Sequence, residues 1–125
     1  MKFRNFKMVS YVVYGRGCFN QLDEILAPQR KEGLPMIFLV DHYFEGKPLI
    51  NRIPLRGRDK ELFADVTYEP KTTYVDKLAT QLKNEFGTVS GIIGIGGGSV
   101  MDLAKAVSLM MNNSGSSSDY QGWDL

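Results

Sequence analysis

The run from Val89 to Ile95, Val-Ser-Gly-Ile-Ile-Gly-Ile, leads straight into Gly96-Gly97-Gly98-Ser99, after which Leu103, Ala106, Val107 and Met110 return at helical spacing. An apolar, β-branched run that ends in glycines and restarts as an amphipathic pattern predicts a strand, a tight turn and a helix N-terminus in succession. Glycine suits that junction twice over. It accepts backbone angles closed to other residues, and it has no Cβ to hold a ligand off the main chain. The unpaired N–H groups of the helix's first turn, with the positive end of its dipole, then make an anion site. One or two glycines suffice for a turn. Here Gly94, Gly96, Gly97 and Gly98 fill four of five consecutive positions, which points to a phosphate site. Ser99 caps the helix or donates to a phosphate oxygen, and Asp102 stands three residues on, the spacing of a capping box.

Two familiar phosphate loops do not fit. The Walker loop needs Gly-Lys-Ser/Thr, and the first lysine after these glycines is Lys105, inside the helix. The Rossmann fingerprint fits at Gly94 and Gly96 but meets Ser99 where its sixth position needs Gly or Ala. Its ribose-binding acid should follow by about twenty residues. The best candidate acid, Asp41, instead comes well before the glycines, at the end of Met36-Ile37-Phe38-Leu39-Val40. The loop is of nucleotide type in a different topological order.

The rest of the chain supplies the framework. Met36–Val40, apolar at every position, predicts a parallel strand buried on both faces. Met8–Tyr14, before Gly15-Arg16-Gly17, and Leu62–Tyr68 are further strand candidates. Phe19, Leu22, Ile25 and Leu26 predict a short helix ended by Pro28. Val75, Leu78, Ala79, Leu82 and Phe86 predict a longer one, with Thr73–Asp76 in capping-box form and Gly87 at its C-terminal end. Residues 42–60, broken by Gly46, Pro48, Pro54 and Gly57, read as a crossover or exposed excursion, and Asn112–Ser118 as a linker. Strands alternating with helices give an α/β fold with a largely parallel, Rossmann-like sheet flanked by helices.

At 125 residues the chain has room for one domain with a real core. Fifteen basic against fourteen acidic residues leave no basic excess for nucleic acid. A single cysteine, Cys18, excludes an internal disulfide, and a single histidine, His42, excludes a metal site built from several imidazoles. The polar N-terminus and the absence of a long apolar run point to a cytoplasmic protein that does not engage a membrane.

The segment Gly96-Gly97-Gly98-Ser99-Val100-Met101-Asp102-Leu103-Ala104-Lys105-Ala106 resembles the signature of the iron-containing (group III) alcohol dehydrogenases. That signature is a glycine triplet, Ser, two residues, Asp, one residue, then Ala-Lys. The resemblance runs through Tyr14-Gly15-Arg16-Gly17, the strand ending in Asp41, the Pro70 segment and Asp119-Tyr120. It implies a dehydroquinate synthase-like N-terminal domain binding NAD(P). Gly97, Gly98 and Ser99 would hold the pyrophosphate, Asp41 the adenosine ribose, and Asp102 would lie near the cofactor. Glu69 stands where the family often has Asn. The family's divalent metal, iron or zinc, is held by one Asp and three His of a helical C-terminal domain that this sequence lacks. The resemblance thus implies residues 1–112 as a dinucleotide-binding domain and 113–125 as a linker into the missing domain. A small alcohol or sugar acid would be the substrate, and the full-length protein would be a homodimer. The wording of residues 5–26 is closest to a sugar-acid branch that includes the 3-deoxy-D-manno-octulosonate 8-oxidases of lipopolysaccharide sugar modification. The alternative is a stand-alone nucleotide or phosphate module without catalysis.

Other residues have plainer readings. Cys18 is expected to be structural and buried, His42 an ordinary surface residue, and Arg52, Arg56 and Arg58 a solvated loop. Met101, Met110 and Met111 are expected to pack a core or the missing domain. Tyr120 and Trp123 are expected to be exposed or packed on a neighbour.

Overall fold

A computed structural model describes residues 9–10 and 12–120. Three parallel strands form its sheet: β1 (Met36–Asp41), β2 (Lys60–Ala64) and β3 (Gly91–Ile95), in the order β2-β1-β3. The helices are α1 (Leu22–Leu26), α2 (Thr72–Phe86) and α3 (Gly98–Met111). This is the α/β, Rossmann-like arrangement expected from the alternation of apolar runs and amphipathic stretches. Among the described residues no helix is long and apolar enough to cross a membrane.

β1 is central, and its side chains divide by parity. Ile37 and Leu39 point into one core with Val75, Leu78 and Leu82 of α2 and Val100, Leu103 and Val107 of α3. Met36, Phe38 and Val40 point into a second with Leu26, Ile53 and Ile95. A strand covered on both sides has no use for polar residues on either face, which accounts for its unbroken apolar run. Residues 42–59 are the crossover of the two expected alternatives, joining β1 to the parallel strand β2. They form two 3-10 turns, His42–Phe44 and Pro48–Arg52, and Phe44, Leu49, Ile50 and Ile53 cover the second face of the sheet. Arg52, Arg56 and Arg58 are exposed, as expected, while Arg52 and Arg56 also bond Asn20 (2.5 Å) and Asp23 respectively. The junction into β2 is fixed by Asp59, whose buried carboxylate accepts from Met36 N (2.8 Å), Arg30 Nη1 (2.8 Å) and Arg56 N (2.9 Å).

Several expected details differ. Met8 and Tyr11 lie outside the described residues, and Val12, Val13 and Tyr14 are not in a strand. Val12 and Tyr14 are 78% and 97% exposed, without the neighbours that β-branched and aromatic residues need to hold a strand. β2 starts and ends earlier than Leu62–Tyr68, because Thr67 N (3.0 Å) and Oγ1 (2.6 Å) bond back to Asp65 and turn the chain. The Thr73–Asp76 capping box does not form, since α2 begins at Thr72 and Asp76 has other partners. Gly87 ends α2 as expected, at φ 71° with its N–H on Lys83 O (2.9 Å). Pro28 sits inside a closing 3-10 turn, Ala27–Gln29. Cys18 is half-buried rather than buried.

Candidate functional site

The chain leaves β1 and β3 toward opposite faces. After β1 it enters the 42–59 segment over the second core, whereas after β3 it enters α3 over the first. Adjacent parallel strands whose connections diverge in this way leave a crevice at their carboxyl ends, where ligands of open α/β sheets bind. Asp41 ends β1, and Gly96 follows β3, at that crevice.

The loop's glycines divide sharply. A Cβ on Gly94 would lie 2.9 Å from Ala104 Cβ and 3.2 Å from Val100 O, so this position lets α3 seat on β3. Gly96 has φ 149°, and a Cβ there would collide with Val100 Cγ1 and stand 2.9 Å from Asp41 Cβ. At Gly97 and Gly98 a Cβ would meet nothing within 4 Å. Packing therefore does not explain the absence of side chains at these two positions. Gly97 is the N-cap of α3 and no side chain caps the helix, so the hydroxyl cap expected of Ser99 and its box with Asp102 do not form. The first helical bond runs from Met101 N to Gly97 O (3.1 Å), which leaves the first-turn N–H groups without helical acceptors. They sit at the positive end of a fourteen-residue helix.

Asp41 lies against this loop, its Cβ 2.9 Å from where a Cβ on Gly96 would stand. Its side chain is 23% exposed, and Oδ1 accepts from Tyr43 N (3.0 Å) and lies 3.3 Å from His42 Nδ1. His42 is a partly exposed residue whose Nδ1 also lies 3.1 Å from Ala64 O. Asp102 is solvated, with Lys105 Nζ 3.9 Å away. Thr67 holds the Asp65 carboxyl below the usual range, by its hydroxyl first and its N–H second.

A cleft of about 560 Å³ runs from the start of α3 along the first turn of α2. Ser99, Asp102 and Leu103 line one side, Pro70 and Thr72 another, and Ser117 and Tyr120 the third. Glu69 also reaches it. Tyr120 is 37% exposed, its hydroxyl donating to Ser114 O (2.8 Å). Trp123 lies outside the described residues. Thr72 and Ser117 were not foreseen as site residues, because hydroxyls at a helix start and in a Ser/Gly-rich run look like ordinary cap and linker chemistry. Met110 is buried in the first core and Met101 is 45% exposed beside the loop.

The family model for iron-containing alcohol dehydrogenases matches residues 10–125. The chain belongs to this family. A choline dehydrogenase of Bacillus subtilis (strain 168) is 27% identical over 98% of the chain and 31% of its own length. A sulfoacetaldehyde reductase of Bilophila wadsworthia (strain 3_1_6) is 34% identical over 63% of the chain and 20% of its length. Among solved structures, the sulfoacetaldehyde reductase of Bifidobacterium kashiwanohense in complex with NAD+ superposes with a TM-score of 0.67 at 26% identity. It covers 89% of this chain and 29% of its own. The NADH-dependent butanol dehydrogenase A of Thermotoga maritima shares the fold, with a TM-score of 0.71 at 22% identity over 95% of this chain and 30% of its own. The chain thus spans under a third of the length of these relatives. Among the described residues no group of three or more His, Cys, Asp or Glu could hold a metal ion.

Proposed function

We propose that this chain is the cofactor-binding part of an NAD-dependent alcohol or aldehyde oxidoreductase. The observation that carries this reading is the pair Gly97 and Gly98, where a Cβ would meet none of the described residues, at a helix N-terminus without a side-chain cap and beside Asp41. The N–H groups of Gly98 and Ser99, with the exposed backbone of Gly97, would hold the pyrophosphate of NAD(P). Asp41, with Oδ1 already engaged by the Tyr43 N–H, would accept ribose hydroxyls through its other oxygen. Asp102 would border the cofactor at the second turn of α3. When bound, the nicotinamide supplies the hydride acceptor or donor, and this chain's residues anchor and orient it. The structures of relatives, one in complex with NAD+ and one named NADH-dependent, support the cofactor class.

A divalent metal in this chemistry polarises the alcohol oxygen. With no ligand set among the described residues, we place its ligands outside this chain, in the length its relatives have beyond it. Residues 1–112 then act as the dinucleotide-binding domain and 113–125 lead onward. The substrate is a small alcohol or aldehyde. The narrower reading, oxidation of the C8 hydroxyl of 3-deoxy-D-manno-octulosonate, rests on the wording of residues 5–26 alone. The alternative reading is a nucleotide module without chemistry. A full-length version assayed with added divalent metal on a panel of alcohols and sugar acids separates the two.

The direct test is calorimetric titration of NAD into the chain and its Asp41→Asn variant. Because bonds to a charged acceptor contribute roughly 1.5–3 kcal/mol, the variant should bind about ten-fold or more weakly. Unchanged affinity removes Asp41 from the site, and no binding by the parent chain removes the cofactor reading.

A further inference from the structure

The cleft beside Ser99 and Asp102 has one wall that the sequence presents as a tether. Residues 112–118 read Asn-Asn-Ser-Gly-Ser-Ser-Ser, a composition with no apolar side chain to dock. The segment is nevertheless fastened, and the fastening centres on one carboxylate. Asp76 of α2 accepts Ser116 Oγ on Oδ2 (2.7 Å) and Ser117 N on Oδ1 (2.8 Å). Ser117 Oγ adds a bond to Thr72 O (3.2 Å), one helical turn before Asp76. Within the segment, Ser116 N donates to Asp119 Oδ2 (3.0 Å), Asp119 N to Ser116 O (3.0 Å), and Tyr120 OH to Ser114 O (2.8 Å). The segment is thus a closed unit held to the domain from outside by Asp76 and Thr72, and at its start by Lys83 Nζ on Asn113 O (3.0 Å).

The unit matters because Ser117 and Tyr120 line the same cleft as Ser99 and Leu103. A bidentate carboxylate on a regular helix can fix that wall where serines and glycines alone would leave it mobile. The Asp76 carboxyl is held below its usual range by the Ser116 hydroxyl first and the Ser117 N–H second, as expected for bonds made to the ionised form.

We propose that Asp76 is a positioning residue: by holding Ser116 and Ser117 it keeps Ser117 and Tyr120 as the wall of the cleft beside Ser99, so that wall fastening and dinucleotide binding stabilise each other. This rests on the cofactor reading given above. Asp76 does not touch the ligand; it orders a wall that does, and a ligand that gains contacts only with the ordered wall must in turn favour it.

The test uses NAD as ligand and four chains: the parent, Asp76→Ala, Asp76→Asn and Ser116→Ala. Each is checked by thermal melting, titrated with NAD and followed by amide hydrogen exchange at residues 116–120. Asp76→Ala should weaken NAD binding roughly five- to ten-fold and speed exchange of the segment by a comparable factor, since bonds to a charged acceptor are removed. Asp76→Asn, which keeps one acceptor oxygen, should lose less. NAD should slow exchange at 116–120 in the parent and not in Asp76→Ala, a response that a merely structural role would not produce. If Asp76→Ala does not fold, Ser116→Ala carries the same comparison with the carboxylate intact. A folded Asp76→Ala chain with the parent's NAD affinity, or with unchanged exchange at 116–120, overturns the positioning role and leaves the cofactor reading standing. Failure of the parent chain to bind NAD overturns both.

Discussion

The two ends of the glycine loop do different work, although a sequence shows only glycine at each. Gly94 and Gly96 face protein: Ala104, Val100 and Asp41 occupy the space their side chains would need, and Gly96 also sits at a positive φ. Among the described residues, nothing stands within 4 Å of a Cβ at Gly97 or Gly98. The first pair lets α3 approach β3 and brings Asp41 against the loop. The second pair leaves the helix N-terminus bare. A glycine required by packing speaks to the fold, whereas a glycine with open space around it speaks to something that arrives later.

That contrast can be broken by substitution. Gly96→Ala should be the most damaging, since it combines left-handed strain of about 1–2 kcal/mol with overpacking of about 1–3 kcal/mol. Urea unfolding that shows less than about 1 kcal/mol of loss would mean the loop is looser than described. Gly94→Ala should cost about 1–3 kcal/mol, because its clash involves Ala104 Cβ and the backbone of α3, which have little room to yield. Gly97→Ala should behave in the opposite sense. Stability should fall by no more than about 1 kcal/mol, the difference between Gly and Ala at an N-cap. NAD affinity should nevertheless fall about ten-fold or more, because a methyl group there holds the pyrophosphate off the N–H groups. Equal NAD affinity in Gly97→Ala would erase the distinction between the two pairs.

The smallest effect is at acid pH. The Asp76 carboxyl is depressed by its bonds to Ser116 and Ser117. Its contribution is therefore fully present above the unfolded value of about 3.9 and is lost as pH falls through the lower folded value. Amide shifts that report the hold of Asp76 on residues 116–120 should persist as pH falls through the ordinary carboxylate range and change only below it, as Asp76 protonates. Loss of that hold already within the ordinary range would show that the bonds from Ser116 and Ser117 do not stabilise the ionised carboxyl.

Much of this was legible in the chain. The five apolar residues of Met36–Val40 announce a strand buried on both faces, and the spacing of Val75, Leu78, Ala79 and Leu82 names the inner face of α2 correctly. The strand-to-helix junction was legible because glycines stand between an apolar run and an amphipathic one, and the approach of Asp41 to it follows from its place at the end of β1. What escaped depends on partners distant in sequence. Thr73 and Asp76 have the spacing of a capping box, yet Asp76 is taken by serines 40 and 41 residues away. Asp59 looks like one more charge in a broken segment, and only the fold shows it joining Met36, Arg30 and Arg56. Val12 and Val13 have strand propensity, but propensity on a pleated surface is largely packing against neighbours, and both residues are exposed, Val12 at 78%.

The decisive measurement is a two-dimensional amide spectrum of the chain, recorded during titration with NAD. The largest shifts should fall on Gly97, Gly98 and Ser99, with a second group at Asp41 and Tyr43 and a weaker one at Ser117. Shifts confined to the opposite end of the sheet, around Arg30 and Arg58, or no shifts at millimolar NAD, would contradict a dinucleotide site at the start of α3.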